Sequence, residues 1–448
     1  MAGQDLIERF VEQRFVPQGR RAPFACPIRR IVLADSLDGA EQALVRALVP
    51  NGTLAVVSDE NTHQALGRRV ERALGASGVV LERPQADEIT ADRLTEQARH
   101  ADALVAVGSG TLNDLCKYVG HRTGRSCVVF GTAPSMNGYT TNTVSISRGG
   151  YKHSLAAKAP LGVFLDLTVL AAAPARMIRA GLGDVLCRST AQVDWLLAHL
   201  LLGTTYVEDP FAIQSEDEKV LLDRAGGLAQ GDPDAIRALA RLLVLSGLGM
   251  LLVGSSHPGS GGEHAISHYV DMFLRPHPGS LHGEQVGVAS RTMARLQSEI
   301  LARGEPPKVA PQPIEVDAMR QRYGPLANEC LAVMRKKALD ADAAEAFNAH
   351  LAERWQAIRA RLQAVALPPE RIEQAMRAAG AAVVPQDLGI DPAFYRDAAL
   401  HAREIRERYS MLDLAADAGL LKDFADRLLR RQDPRTARST DSARRTRG

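Results

Sequence analysis

Two histidines of the chain, His264 and His268, stand four residues apart behind a Gly261-Gly262-Glu263 run, and a third, His282, lies in a second glycine context, Leu281-His282-Gly283-Glu284. A spacing of four puts both imidazoles on one face of a helix. Further upstream, Gly181-Leu182-Gly183-Asp184 supplies a carboxylate. One carboxylate and two imidazoles suit a zinc-like divalent cation that keeps positions open for substrate. A zincin-type protease would need glutamate directly after the first histidine, and Ala265 stands there, so that chemistry is excluded. Taken singly, each histidine is more often a satisfied structural residue than a ligand.

A second kind of chemistry is suggested by Val105-Ala-Val-Gly108-Ser109-Gly110-Thr111-Leu112-Asn113-Asp114, an apolar strand running through a glycine turn into a helix. Glycines let the backbone approach a pyrophosphate, and the helix N-terminus presents N–H groups and the positive dipole end. Asn113 occupies the place of the third glycine in the usual dinucleotide fingerprint, so an ordinary tight strand-to-helix turn fits equally well. Asp59 closes the strand Leu54–Ser58, where an acidic group can bond both ribose hydroxyls and repel a 2′-phosphate. Capping of the following helix is the alternative role for Asp59. The segment Thr132-Ala133-Pro134-Ser135-Met136-Asn137-Gly138-Tyr139-Thr140-Thr141, polar and turn-rich directly after a strand, reads as a ligand loop beyond the strand ends.

These residues need elements to hold them. From Ile31 to Asp166, β-rich runs at Ile31–Ala34, Leu54–Ser58, Val79–Glu82, Leu104–Val107, Cys127–Gly131 and Val163–Leu165 alternate with amphipathic stretches, which predicts βαβ units on a mostly parallel sheet. Helical spacing covers Asn61–Leu74 and Thr90–His100, the second starting at an N-cap Thr90. Thr143 to Leu155 predicts a hairpin turning at Gly149-Gly150 near the sheet edge. The expected division is an α/β domain over residues 1–174, an all-helical domain over 175–433, and a disordered basic tail over 434–448. Leu242 to Gly254 is too short to span a bilayer and is expected to be a buried core helix. The N-terminal stretch carries charges that a signal peptide would not.

The balance of 54 Lys plus Arg against 52 Asp plus Glu leaves +2, no global field for nucleic acid or membrane, so the expected partners are small molecules and further copies of the chain. The five scattered cysteines, with no Cys-x-x-Cys pair, predict reduced thiols and a cytoplasmic protein.

In their order and spacing these blocks resemble the iron-containing alcohol dehydrogenase and dehydroquinate synthase superfamily, most closely its bacterial glycerol-1-phosphate dehydrogenase branch, over about Ile31 to Leu421. The resemblance implies a Rossmann-like N-terminal domain, an all-α C-terminal domain and a homo-oligomer, with a dimer favoured. It implies that Asp184, His264 and His282 hold one divalent ion, zinc or nickel, while Asp184, His268 and Asn137 act on the substrate. It further implies that NAD(P) lies along Gly108, Ser109, Gly110, Thr111 and Leu112, with Thr132, Ala133, Pro134, Ser135 and Thr141 on the nicotinamide side and Asp59 on the ribose. The reaction implied is the interconversion of dihydroxyacetone phosphate and sn-glycerol 1-phosphate, a step of phospholipid metabolism. One departure stands out: Asn137 replaces the aspartate usual in that loop, and an amide can hydrogen-bond but cannot carry charge or relay a proton. A dehydrogenase for another polyol, cyclitol or sugar phosphate is therefore the alternative expectation. A dehydroquinate-synthase-like cyclase and a non-catalytic NAD-binding protein are weaker rivals, the first lacking its basic substrate segment and the second having no use for a metal triad.

Overall fold

The computed structural model describes residues 5–430, so the expected basic tail over 434–448 lies outside the described residues. Six parallel strands form one sheet in the order β1-β8-β5-β4-β2-β3: β1 Arg30–Ala34, β2 Leu54–Asp59, β3 Ser77–Leu81, β4 Ala103–Gly108, β5 Ser126–Gly131 and β8 Gly162–Asp166. All six expected strands are present within one or two residues of their predicted ends. The central strand β4 is buried along its whole length, as a parallel strand covered on both faces must be, and its run Ala-Leu-Val-Ala-Val is continuously apolar for that reason. The core beneath gathers Val56, Val105, Val107, Val128, Phe130 and Phe164 against Leu66, Val70 and Leu74.

Strands β6 Thr143–Arg148 and β7 Tyr151–Ala156 make the predicted hairpin, with Gly149 and Gly150 both at positive φ in its turn. It is a separate two-stranded sheet, fixed beside β3's exit by the Ser147 N–H on Ala86 O at 2.8 Å. The predicted Asn61–Leu74 helix runs from Glu60–Thr62 through a π turn, His63–Gly67, to Arg68–Leu74. The next helix, Glu88–Gln97, is capped by Asp87, whose side chain accepts the Thr90 N–H at 2.8 Å. Thr90 is thus the donor to the cap rather than the cap itself, because Asp87 is extended and one turn earlier.

After β8 the described residues contain helices and turns but no strand. By contact the chain divides into two compact units. The first comprises Met1–Arg188, Val207–Gly259 and Ala375–Ala381; the second comprises Ser189–Tyr206, Ser260–Gln374 and the chain from Ala382. In the first unit, Pro233–Val253 is long and apolar enough to cross a membrane, and 78% of its most apolar window is buried in the protein. In the second unit, Lys337, Arg403, Asp413 and Asp417 form a buried ion network under Tyr409. All five cysteines are buried, and none is in a disulfide.

Candidate active site

In the first unit, β4 ends at Gly108, and helix Gly110–Thr123 starts at once behind Ser109, which makes no side-chain cap bond. The first-turn N–H groups are therefore not closed by their own cap, the arrangement that suits an anion. Beside this turn lies a pocket of ≈ 250 Å³, walled by Ser109, Thr111 and Leu112 on one side and by Asp59, Glu60 and Asn61 on another, with Arg83, Pro84 and Gln85 completing it. Asp59 also caps: its Oδ1 accepts the Thr62 N–H at 2.8 Å, and Thr62 Oγ1 accepts the Asp59 N–H at 3.0 Å. The cap occupies one carboxylate oxygen, so capping and a place in the pocket wall coexist. Arg83, which sequence reasoning passed over, holds a positive φ of 40° directly before a proline. A lone arginine in a loop gives no periodic signal, and only the fold brings it to Asp59.

Thr132, Ala133, Pro134, Ser135 and Thr141 lie outside that pocket, in the loop after β5. The loop is held from four directions. Thr132 N–H bonds Gly108 O at 3.1 Å, and the Tyr139 hydroxyl donates to Ala133 O at 2.7 Å. Lys117, fully buried on the glycine-turn helix, donates to Gly138 O at 2.9 Å and to Thr141 Oγ1 at 2.8 Å. Burial pushes the Lys117 ammonium below its ordinary range, and the charge of Asp114, 3.8 Å away, works against that shift. Two helices then approach so closely that only glycine fits. A Cβ on Gly181 would lie 1.7 Å from Pro134 O, and one on Gly247 would lie 2.1 Å from Thr140 Oγ1. Lys117 went unmarked in the sequence; a lone cation on the buried face of helix Gly110–Thr123 was the available signal.

Asn137 is buried, and its backbone N–H donates to Asp184 Oδ2 at 2.7 Å. Its side-chain Nδ2 has no hydrogen-bond partner among the described residues. The loop and the carboxylate singled out in the sequence are thus joined.

In the second unit, His264 and His268 lie buried on helix Gly262–Phe273, and His282 opens helix His282–Leu301. Their rings cluster, with centroids 5.1 Å apart for His264–His282, 5.7 Å for His268–His282 and 6.3 Å for His264–His268. His264 Nδ1 bonds Glu263 Oε1 at 3.0 Å, and His282 Nδ1 bonds Ser267 Oγ at 3.0 Å. Burial opposes the Glu263 charge, yet the bond and charge of His264 and the Gly261 N–H hold this carboxyl below its ordinary range. Nearby Asp194 is pushed up to about 7 by burial and by the Glu263 charge, against N–H bonds from Gly262 and Met411.

The sequence profile of iron-containing alcohol dehydrogenases matches residues 32–174. The fold is that of a probable glycerol dehydrogenase from Sinorhizobium meliloti, with a TM-score of 0.59 at 19% identity over 89% of this chain and 98% of that one. A halo-thermophilic archaeal alcohol dehydrogenase from a Red Sea brine pool gives the same score at 13% identity over 89% and 96%. The fold class is therefore that of these alcohol dehydrogenases, with an α/β N-terminal and a helical C-terminal region.

Within that class, the glycerol-1-phosphate dehydrogenase [NAD(P)+] of Geobacillus thermodenitrificans is 30% identical over 374 residues, which cover 80% of this chain and 85% of that enzyme. The Geobacillus stearothermophilus enzyme of the same name is 31% identical over the same shares. The chain belongs to this glycerol-1-phosphate dehydrogenase family. Its match to the Halalkalibacterium halodurans member, 33% identical over 256 residues, spans 54% of this chain and 64% of that enzyme, less than two thirds of its length.

Proposed function

We propose that this chain is a cytoplasmic, homodimeric, divalent-cation-dependent dehydrogenase that interconverts dihydroxyacetone phosphate and sn-glycerol 1-phosphate with NAD(P). The observation that carries the reading is the imidazole cluster in which the Nδ1 atoms of His264 and His282 are both committed to orienting partners. That leaves Nε2 as the ring atom suited to a cation. Asp184, His264 and His282, each offering one donor atom, hold zinc or nickel. In this reading residues 1–174 serve the coenzyme and 175–433 carry the metal and substrate groups.

Gly108 to Leu112 receive the pyrophosphate, Asp59 the ribose, and Thr132, Ala133, Pro134, Ser135 and Thr141 the nicotinamide side. When bound, the cation supplies the charge that acidifies an alcohol or polarises a ketone, and the nicotinamide carries the hydride. Asp184 fixes the loop through the Asn137 N–H, so the substrate oxygen meets a preset wall. His268, buried with its ring beside that of His282, holds the proton that accompanies hydride transfer.

A second reading, a dehydrogenase for another polyol, cyclitol or sugar phosphate, is favoured by Asn137, whose buried Nδ2 offers a donor where an aspartate would offer an acceptor. NADH oxidation measured with dihydroxyacetone phosphate, dihydroxyacetone and other ketoses, with zinc or nickel added to stripped protein, separates the two. The first reading expects turnover with dihydroxyacetone phosphate far above the rest, and a higher rate with another ketose would replace it with the second.

A further inference from the structure

The two imidazoles read above as cation ligands are held by unlike partners. Glu263 precedes His264 in the chain, yet its side chain folds back so that Oε1 meets both His264 Nδ1, at 3.0 Å, and the Gly261 N–H. Its Oε2 accepts the Thr190 hydroxyl at 2.9 Å. The carboxylate is fully buried, and donors from separate segments fix both of its oxygens. His282 rests instead on a neutral group: Ser267 Oγ lies 3.0 Å from Nδ1 and itself donates to Gln285 Oε1 at 2.7 Å. An imidazole that donates Nδ1–H to a carboxylate is locked in one tautomer and made more basic at Nε2, whereas a hydroxyl orients the ring with much less effect on its basicity.

We propose that Glu263 is a positioning residue for cation capture, making His264 the stronger of the two imidazole ligands, with Ser267 playing a lesser part at His282. The inference rests on the reading of His264 and His282 as ligands. A rival role for Glu263, holding the start of helix Gly262–Phe273 through the Gly261 N–H, has a natural control in Asp194. That buried carboxylate accepts the Gly262 N–H at 2.8 Å, together with Met411 N–H and Gln297 Nε2, and has no hydrogen bond to an imidazole among the described residues.

The test is a titration of chelator-stripped full-length protein with cobalt(II), followed by its visible absorption and by competition with a chromophoric chelator. Glu263→Gln is expected to weaken cobalt binding by about 10–100-fold and to shift the absorption bands, Ser267→Ala by less than about tenfold, and Asp194→Asn hardly at all. Wild-type affinity in Glu263→Gln, or an equal loss in Asp194→Asn, overturns the proposal. If Glu263→Gln does not fold, Thr190→Val keeps the carboxylate but frees one of its oxygens; a measurable loss of affinity supports the proposal, and none overturns it. His264→Ala and His282→Ala report on the underlying reading: wild-type affinity in both removes the ligand assignment itself, whereas their loss with Glu263→Gln unchanged removes only the positioning role.

Discussion

The pocket at the glycine turn and the imidazole cluster are built on opposite principles. The pocket is made largely of strand ends, helix-start amides and short side chains, and one of its two carboxylates, Asp59, is half occupied in capping its own helix. The cluster is made of side chains, and two of its three rings are oriented by another side chain: Glu263 for His264 and Ser267 for His282, with Thr190 and Gln285 behind them. Backbone sites tolerate exchange of residues as long as the path of the chain survives. Side-chain sites do not, because one lost partner leaves a buried polar group unsatisfied.

This difference fixes where substitutions should hurt. The largest effect is expected in the cluster: His264→Ala or His282→Ala should abolish NADH-dependent ketone reduction and lower metal content measured by elemental analysis, while NADH binding measured by fluorescence persists. Loss of both together would put the two regions under one control and break the contrast.

Gly181→Ala comes next. Its methyl group would collide with Pro134 O, so the loop carrying Asn137 must move. Overpacking of this kind costs about 1–3 kcal/mol of stability. The melting temperature should fall and the rate should drop more than coenzyme affinity does; an unchanged rate would show that the loop's position is not critical.

Asn137→Asp probes the loop chemically. If glycerol-1-phosphate chemistry is native and the amide a handicap, a restored charge and proton relay raise the rate within the ~10²–10⁴-fold range of positioned proton transfer. If another substrate is native, its turnover falls while that of glycerol phosphate rises. A flat response with every substrate places residue 137 away from the reacting atoms.

The smallest effect belongs to the pocket. Asp59→Ser retains a good helix cap and removes the charge. It should raise the KM for NADH by about tenfold, as expected for losing a hydrogen bond to a charged group, and relax discrimination against NADPH. A wild type that strongly prefers NADPH would contradict the ribose role.

Much of the fold was legible because it rests on short-range pattern. Continuous apolar runs such as Val105–Val107 and Val128–Phe130 mark buried parallel strands, and Gly149-Gly150 marks the hairpin turn. The Thr90 cap was misplaced by one turn because aspartate and threonine compete for the same role and only the backbone decides. The histidines were visible by spacing. Their supports were not, since Thr190 lies 73 residues from Glu263 and Gln285 lies 18 from Ser267, and sequence proximity carries no trace of either bond. Arg83 escaped for the same reason, because only the three-dimensional fold brings it near Asp59, whereas Lys117 left a trace, a lone cation on a buried helix face.

On the proposed reading, a cation held by Asp184, His264 and His282 is required for reduction of a ketose phosphate by NADH. Its most direct test is to strip the full-length protein with a chelator and follow NADH oxidation with dihydroxyacetone phosphate before and after adding back zinc or nickel. The expected result is no turnover in the stripped protein and recovery with one of the two ions at one equivalent per chain. Full turnover by protein shown to be metal-free would contradict it.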